Sequence, residues 1–262
     1  MKIATWNING IKARHDNVIA WLKEAEPDIA CLQEIKSVDE AFPRGEIEAL
    51  GYNLETHGQK GFNGVALLSK LPFDEVNRGL AVLDGETDDQ ARFIEGVFTA
   101  GDKPLRVVSL YLPNGNPVDT EKFPYKLSWM ARLEAWARER LALEEPLILA
   151  GDYNVIPQAE DCHDPNVWEG DALFRPESRA AFRQLLNLGF TEAVRNTTDA
   201  PQTYTFWDYQ AGAWQKNNGI RIDHLLLSPE AADRLKGAAI DKHTRAWEKP
   251  SDHVPVWVEF AA

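Results

Sequence analysis

The strongest constraint on the fold is a series of short apolar runs, each stopped by Gly, Pro, Asn or Asp: Ile3–Trp6, Ile29–Leu32, Val65–Leu68, Arg106–Leu112, Leu147–Ala150, Ile222–Leu227 and Val254–Phe260. They have the length of strands rather than helices. Apolar side chains at consecutive positions suit strands covered on both faces. Between them the spacing predicts helices. Asn17–Ala25 places Val18, Ile19, Leu22 and Ala25 on one face, with Asp16 as its cap. Lys126–Leu143 repeats Leu127, Met130, Leu133, Trp136, Ala137 and Leu141, and Arg179–Leu188 runs from just after Pro176 to Gly189. In the middle, Val65–Leu68, Phe73–Val76, Arg92–Phe98 and Arg106–Leu112 follow so closely that antiparallel pairing is expected. The expected architecture is α/β, a sandwich of two mixed or antiparallel β-sheets packed face to face with helices outside, in a single domain over residues 1–262.

Charge narrows the function classes. Lys and Arg total 28 against 41 Asp and Glu, a net charge of −13. A protein that holds polyanions by bulk attraction carries the opposite balance. If the substrate is a polyanion, positive charge must be gathered locally or supplied by a divalent cation. No apolar run reaches the ~18 residues of a membrane span, and Met1–Asn7 lacks the apolar core of a signal peptide. Cys31 lies in an apolar run and Cys162 in a polar loop, so no disulfide framework is expected and a reducing cytoplasm fits.

The strand-like runs carry polar residues at their ends. Asn7 closes the first, Gln33-Glu34 the second, and Tyr111 nearly closes Arg106–Leu112. Gly151-Asp152-Tyr153-Asn154 follows Leu147–Ala150, Asp223 opens the run after Gly219, and Ser251-Asp252-His253 precedes the last strand. Ends of one strand and starts of an antiparallel neighbour share one sheet edge, so these groups can converge on a single rim. Singly, each has an ordinary reading: a turn former, a solvated carboxylate, a core tyrosine, or an Asp223–Arg221 salt bridge. Together, several carboxylates with amides, a His and a Tyr are costly without a cation. Oxygen donors without thiols favour a hard ion such as Mg²⁺ or Mn²⁺. A carboxylate beside it can take a proton from water, and a His can donate to a phosphate oxygen. The chain has no Walker loop, G-x-S-x-G or paired-Cys zinc motif.

Eight segments, in order, carry a resemblance: Thr5–Arg14, Cys31–Lys36, Tyr111–Gly115, Lys122–Lys126, Gly151–Asn154, Tyr204–Tyr209, Gly219–Asp223 and Ser251–Pro255. The chain resembles the exonuclease III family of apurinic/apyrimidinic endonucleases, within the endonuclease–exonuclease–phosphatase superfamily. Gly-Asp-x-Asn and Ser-Asp-His are shared across the superfamily, whereas Lys122–Lys126 and Tyr204–Tyr209 look like its DNA-repair branch.

The resemblance implies a four-layer α/β sandwich and a role for each matching position. Glu34 would be the principal metal ligand, with Asn7 and Asp252 in or near the coordination sphere, and Asp152, Asn154 and His253 beside the metal. Asp152 would activate the attacking water. His253 would polarise the scissile phosphate, with Asp223 fixing its tautomer, and Tyr111 would approach the phosphate or the departing 3′-oxygen. Arg92, Lys122 and Arg221 would contact DNA, and Phe206 and Trp207 would wall the sugar pocket. Arg14, Lys36, Lys60, Lys126 and Lys216 are expected to complete a basic ring. Some relatives carry Asp where this chain has Asn9 and Trp where it has Ile220. The expected enzyme is a Mg²⁺-dependent, monomeric phosphodiesterase of duplex DNA with abasic sites or damaged 3′ ends. Cleavage 5′ to the lesion would be joined by 3′→5′ exonuclease and 3′-end-cleaning activity.

Overall fold

The computed structural model describes residues 1–82, 88–101 and 104–261. In chain order its elements are β1 (Lys2–Asn7), α1 (Ile11–Ala25), β2 (Ile29–Gln33), α2 (Arg44–Ala49), β3 (Asn53–His57), β4 (Val65–Ser69), β5 (Glu75–Arg78), β6 (Phe93–Thr99) and β7 (Pro104–Tyr111). There follow α3 (Lys122–Leu141), β8 (Leu147–Asp152), α4 (Pro165–Trp168), α5 (Pro176–Asn187), β9 (Thr191–Glu192), β10 (Asp223–Leu227), β11 (Leu235–Ile240) and β12 (Val256–Phe260). One sheet runs β11-β12-β1-β2-β4-β3 and the other β5-β6-β7-β8-β10-β9. Each contains one parallel pair, β1 with β2 and β7 with β8, joined through α1 and α3 respectively.

The consecutive apolar residues are divided between three hydrophobic layers. Ile3, Ile29, Cys31, Val107, Ile148, Leu225 and Val256 fill the space between the sheets. Their neighbours Ala4, Ala30 and Leu32 turn outward onto Val18, Trp21 and Leu22 of α1. On the second sheet, Val108, Leu149 and Leu226 turn outward onto Trp129 and Leu133 of α3 and Phe182 of α5. Period-two alternation is therefore present, but both phases are buried, as four layers require.

Three expectations need correction. Val65–Ser69 joins the first sheet, pairing with β2 and β3, so the chain changes sheets before β5 rather than continuing one antiparallel run. α1 starts at Ile11, not Asn17, and Asp16 lies exposed within it. Its start is fixed from outside: Gly10 N–H bonds Glu34 O at 2.7 Å and Ile11 N–H bonds Ile35 O at 3.0 Å, extending the β1–β2 ladder past the strands. Similarly, α3 begins four residues earlier than the apolar pattern, at Lys122, and ends at Leu141. The strands missed by sequence, β3, β9 and β11, are all sheet edges, β3 and β11 of the first sheet and β9 of the second. β3 buries only alternate positions, and β11 carries an irregularity between Leu235 and Gly237, so neither gives a continuous apolar run.

Candidate active site

Strand register assembles the site. In the second sheet Tyr111 is paired with Asp152 across β7–β8, and Asp152 with Asp223 across β8–β10, giving a lateral row Tyr111–Asp152–Asp223. In the first sheet Asn7 pairs with Gln33, which puts Glu34 at the same rim. A bridge between Phe206 and His253 brings in the segment before β12. Of these groups Tyr111, Asp152, Glu34, Phe206 and His253 border a cleft of about 370 Å³, together with Asn114, Asn154 and Asp252. A larger cavity of about 600 Å³ lies at the opposite end of the sandwich, but apart from Arg234 its lining is largely apolar.

His253 is the centre of a buried relay. Its Nδ1 lies 2.9 and 3.1 Å from the two Asp223 oxygens, and its Nε2 lies 3.7 Å from Asp152 Oδ2. Asp223 is itself held by Thr205 Oγ1, which donates at 2.6 Å. Burial pulls the imidazolium pKa down, but Asp223 and then Asp152 more than reverse this and raise it to about 10. Burial is also the main reason the Asp152 pKa rises to about 7, with His253 opposing. Asp152 is oriented from both sides: Asn154 N–H donates to Oδ1 at 2.9 Å and Asn7 Nδ2 to Oδ2 at 2.9 Å. Asn154 takes the left-handed conformation, φ 47, needed to turn its N–H back, which Asn tolerates better than most residues.

Glu34 stands on the other side of Asn7, whose Nδ2 also donates to Glu34 Oε1 at 3.0 Å. Lys36 Nζ is 3.0 Å from Glu34 Oε2. Burial raises the Glu34 pKa, but the Asn7 hydrogen bond and the Lys36 charge more than compensate, so it falls below the ordinary carboxylate value. Asp252 receives Asn9 Nδ2 at 3.2 Å on Oδ1. The anionic Glu34, with Asp252 on the same cleft, offers oxygen donors only, which suits a hard divalent cation. Asn7 fits less directly as a ligand, because its Oδ1 accepts the Asn9 N–H at 3.0 Å. Among the described residues Asp152, Asp223 and His253 also bring ligand atoms within 4.8 Å of one another. In that trio the His253 Nδ1 is committed to Asp223.

Tyr111 is half-buried over Glu34 and Asp152. Burial, then those two carboxylates, raise its pKa well above the ordinary phenol value, so it stays a hydrogen-bond donor. Arg92 stacks on its ring at 4.8 Å and donates to its backbone carbonyl at 3.2 Å. Phe206 meets the His253 ring edge-on, with centroids 4.9 Å apart, and faces the cleft. Lys122 is exposed at the first turn of α3.

Three residues expected at the DNA surface are instead interior. Trp207 is 0 % exposed, packed against Tyr204 and Trp214. Arg221 is 1 % exposed, and its guanidinium is taken by Asp161 at 2.9 Å and Glu192 at 3.0 Å, so it has no group left for a phosphate. It pairs with those carboxylates, not with Asp223. Lys126 is fully buried against two backbone carbonyls. Ile220, noted as a departure, is likewise buried and bridges Phe206 and Cys162.

Sequence reasoning overlooked Asn116, Trp168 and Asp171 on the cleft wall, and the role of Asn114. Asn114 sits inside a motif that had been singled out, Tyr111–Gly115, so that signal was available. Trp168 ends the short α4 and Asp171 lies in the turn after it, and nothing in the sequence ties them to β8.

The pattern of the Endonuclease/Exonuclease/phosphatase family matches residues 4–253. Exodeoxyribonuclease III of Haemophilus influenzae is 37% identical over 268 residues, covering 99% of this chain and 100% of its own. An AP endonuclease from Archaeoglobus fulgidus superposes with a TM-score of 0.93 at 36% identity, over 100% of both chains. A 3′ phosphatase from Neisseria, solved bound to product DNA hairpin, gives 0.94 at 37% identity, again over 100% of both. The chain therefore belongs to the Endonuclease/Exonuclease/phosphatase family, and is a nuclease of its exodeoxyribonuclease III branch.

Proposed function

We propose that residues 1–262 form one catalytic domain, a monomeric cytoplasmic enzyme that hydrolyses duplex DNA 5′ to abasic sites and also trims 3′ ends. The observation that carries this reading is the register row Tyr111–Asp152–Asp223, whose first two members share one cleft with Glu34 and His253 while Asp223 holds His253 from behind. Asp152 accepts a proton from water, for which a pKa near 7 suits neutral solution. The water oxygen bonds to phosphorus, the bond to the 3′-oxygen breaks, and the departing oxygen takes a proton from solvent, giving a 3′-hydroxyl and a 5′-deoxyribose phosphate. His253, charged and held through Nδ1 by Asp223, donates from Nε2 to a non-bridging phosphate oxygen. Tyr111, kept protonated, donates to the phosphate or the departing oxygen. Glu34 and Asp252, with Asn7 beside them, would hold Mg²⁺, with Mn²⁺ as a substitute; the ion supplies charge stabilisation at the phosphate. Phe206 packs on the flipped sugar, and Arg92 and Lys122 contact the backbone.

The experiment is a cleavage assay on three duplexes, carrying a central abasic analogue, a recessed 3′ end or a 3′-phosphate, each in Mg²⁺ and in EDTA, with Asp152→Asn in parallel. Mg²⁺-dependent cleavage 5′ to the analogue, lost in Asp152→Asn while DNA binding persists, is expected. Cleavage unaffected by EDTA, or full activity in Asp152→Asn, would overturn the assignment.

A further inference from the structure

α3 sends one lysine inward beneath the cleft. Lys126 is 0 % exposed, and its ammonium donates to Asn154 O at 2.5 Å and to Asn114 O at 3.1 Å. Both partners are backbone carbonyls, one in the loop leaving β7 and the other in the loop leaving β8. Burying an ammonium for packing alone is wasteful, since Met or Leu would fill the same space without desolvation. The surroundings are shaped for this side chain. Gly115 has φ 90, and a Cβ there would stand 2.7 Å from Lys126 Cδ.

What the two loops carry gives the contact its meaning. Asn114 Nδ2 donates to Asn154 Oδ1 at 3.3 Å, and Asn154 Nδ2 donates to Leu112 O at 2.9 Å. Asn154 N–H orients Asp152 Oδ1. The peptide unit that follows Asn154 is therefore held by Lys126, and the one that precedes it holds the proposed general base.

We propose that Lys126 is a positioning residue: it clamps the Asn114 and Asn154 carbonyls and thereby fixes the two amides and the Asp152 carboxylate in their reactive arrangement. This rests on Asp152, which the Asn154 N–H orients, serving as the base of the hydrolysis proposed above. Lys126 touches no reacting atom, and its effect passes through Asn154.

The test is a double-mutant cycle of Lys126→Met with Asn154→Ala, read as kcat on an abasic-analogue duplex, as Kd for that duplex in EDTA, and as Tm. Misplacing a reactive group by about 1 Å costs on the order of 100-fold. Lys126→Met is therefore expected to lower kcat by about 30- to 100-fold while changing Kd less than about threefold. Lys126→Gln, which restores one donor, is expected to fall between Met and wild type. In the Asn154→Ala background, which keeps the backbone carbonyl and N–H but removes the side-chain amide, Lys126→Met should cost clearly less than it does in wild type, because part of the clamped unit is already gone. Losses that multiply in the double mutant, or wild-type kcat in a folded Lys126→Met, overturn the proposal. So does failure of both Lys126 variants to fold, since the residue would then support the core and not the site. Wild-type activity in Asn154→Ala alone sinks the assigned role of Asn154; the clamp falls with it only if Lys126→Met is fully active too.

Discussion

Asp223→Asn removes one buried charge while keeping size and shape, and its consequences follow from the relay geometry. The Asp223 carboxylate is fully buried, accepts from Thr205 Oγ1 at 2.6 Å and faces His253 Nδ1 at 2.9 Å. Burial alone would hold the His253 imidazolium below its ordinary 6.5; Asp223, with Asp152 second, lifts it to about 10. That rise favours the charged form by roughly 5 kcal/mol. With Asp223 neutral, the more distant Asp152 is the main charge remaining, at 3.7 Å from Nε2. Most of the rise should vanish, bringing His253 close to or below neutrality. The native pKa lies above the unfolded one. The pair's contribution to stability is thus complete below pH 6.5 and is lost as pH climbs towards 10.

Two measurements follow. An imidazole NMR titration in EDTA should show the His253 pKa falling by at least three units in Asp223→Asn. Single-turnover cleavage at pH 7.5 should fall about 100-fold, some 3 kcal/mol in the barrier, and recover partly towards pH 6 as the imidazolium re-forms. The Tm gap between wild type and variant should be widest near pH 6, narrow steadily above pH 7 and close only towards pH 10. A His253 that still titrates near 10, or an activity loss of equal size at every pH from 5.5 to 8.5, would show that Asp223 does not act through the imidazole.

Glu34→Gln should raise the Mg²⁺ midpoint by about tenfold or more with partial recovery at high Mg²⁺; an unchanged midpoint in a metal titration of activity removes Glu34 from the ligand set. Phe206→Ala should narrow the rate ratio between abasic and intact nucleotides with little change in total DNA affinity, most of which comes from phosphate contacts; native melting with an unchanged ratio argues against it. Buried Glu192 is pushed up by burial but pulled down to about 2 by Arg221 and His224. Its stabilisation, roughly 3 kcal/mol, is thus present above pH 4.5 and lost as pH falls towards 2. Glu192→Gln should flatten acid unfolding curves over that window, and parallel curves for the two proteins would refute the coupling.

The parts of this architecture legible in the sequence are those where burial leaves no choice. Central strands such as β2, β4 and β8 are covered on both faces and show as unbroken apolar runs. Edge strands β3 and β11 are covered on one side and dissolve into the background. The site was legible for a related reason, because polar groups that stop buried strands must end at a rim. Phase, by contrast, is invisible. Phe206 and Trp207 are adjacent in an extended segment, so one must face the cleft and the other the core, and only the pairing of Phe206 with Ile220 and His253 decides which. Lys122 and Lys126 share a helix face, yet the first is exposed and the second lies under two loops that the sequence does not place.

Asn9 shows how one neutral amide can link several groups of the rim. Taken from the sequence, it is a lost anionic ligand. In the folded chain it sits at φ 48, donates from Nδ2 to Asp252 and to Tyr209 Oη, and accepts Lys36 Nζ at 2.6 Å on Oδ1. An aspartate has no N–H at that position and could not donate to Asp252; it would put a second negative charge there instead. The amide links the Lys36–Glu34 pair to Asp252 without adding charge to a rim that already holds Glu34, Asp152 and Asp252. Where cations are scarce overall, at 28 against 41 acidic residues, a neutral linker keeps Lys36 from being drawn off Glu34 by a third carboxylate. The substitution thus redistributes hydrogen bonds around the carboxylates and leaves Glu34 as the principal anion of the candidate metal site.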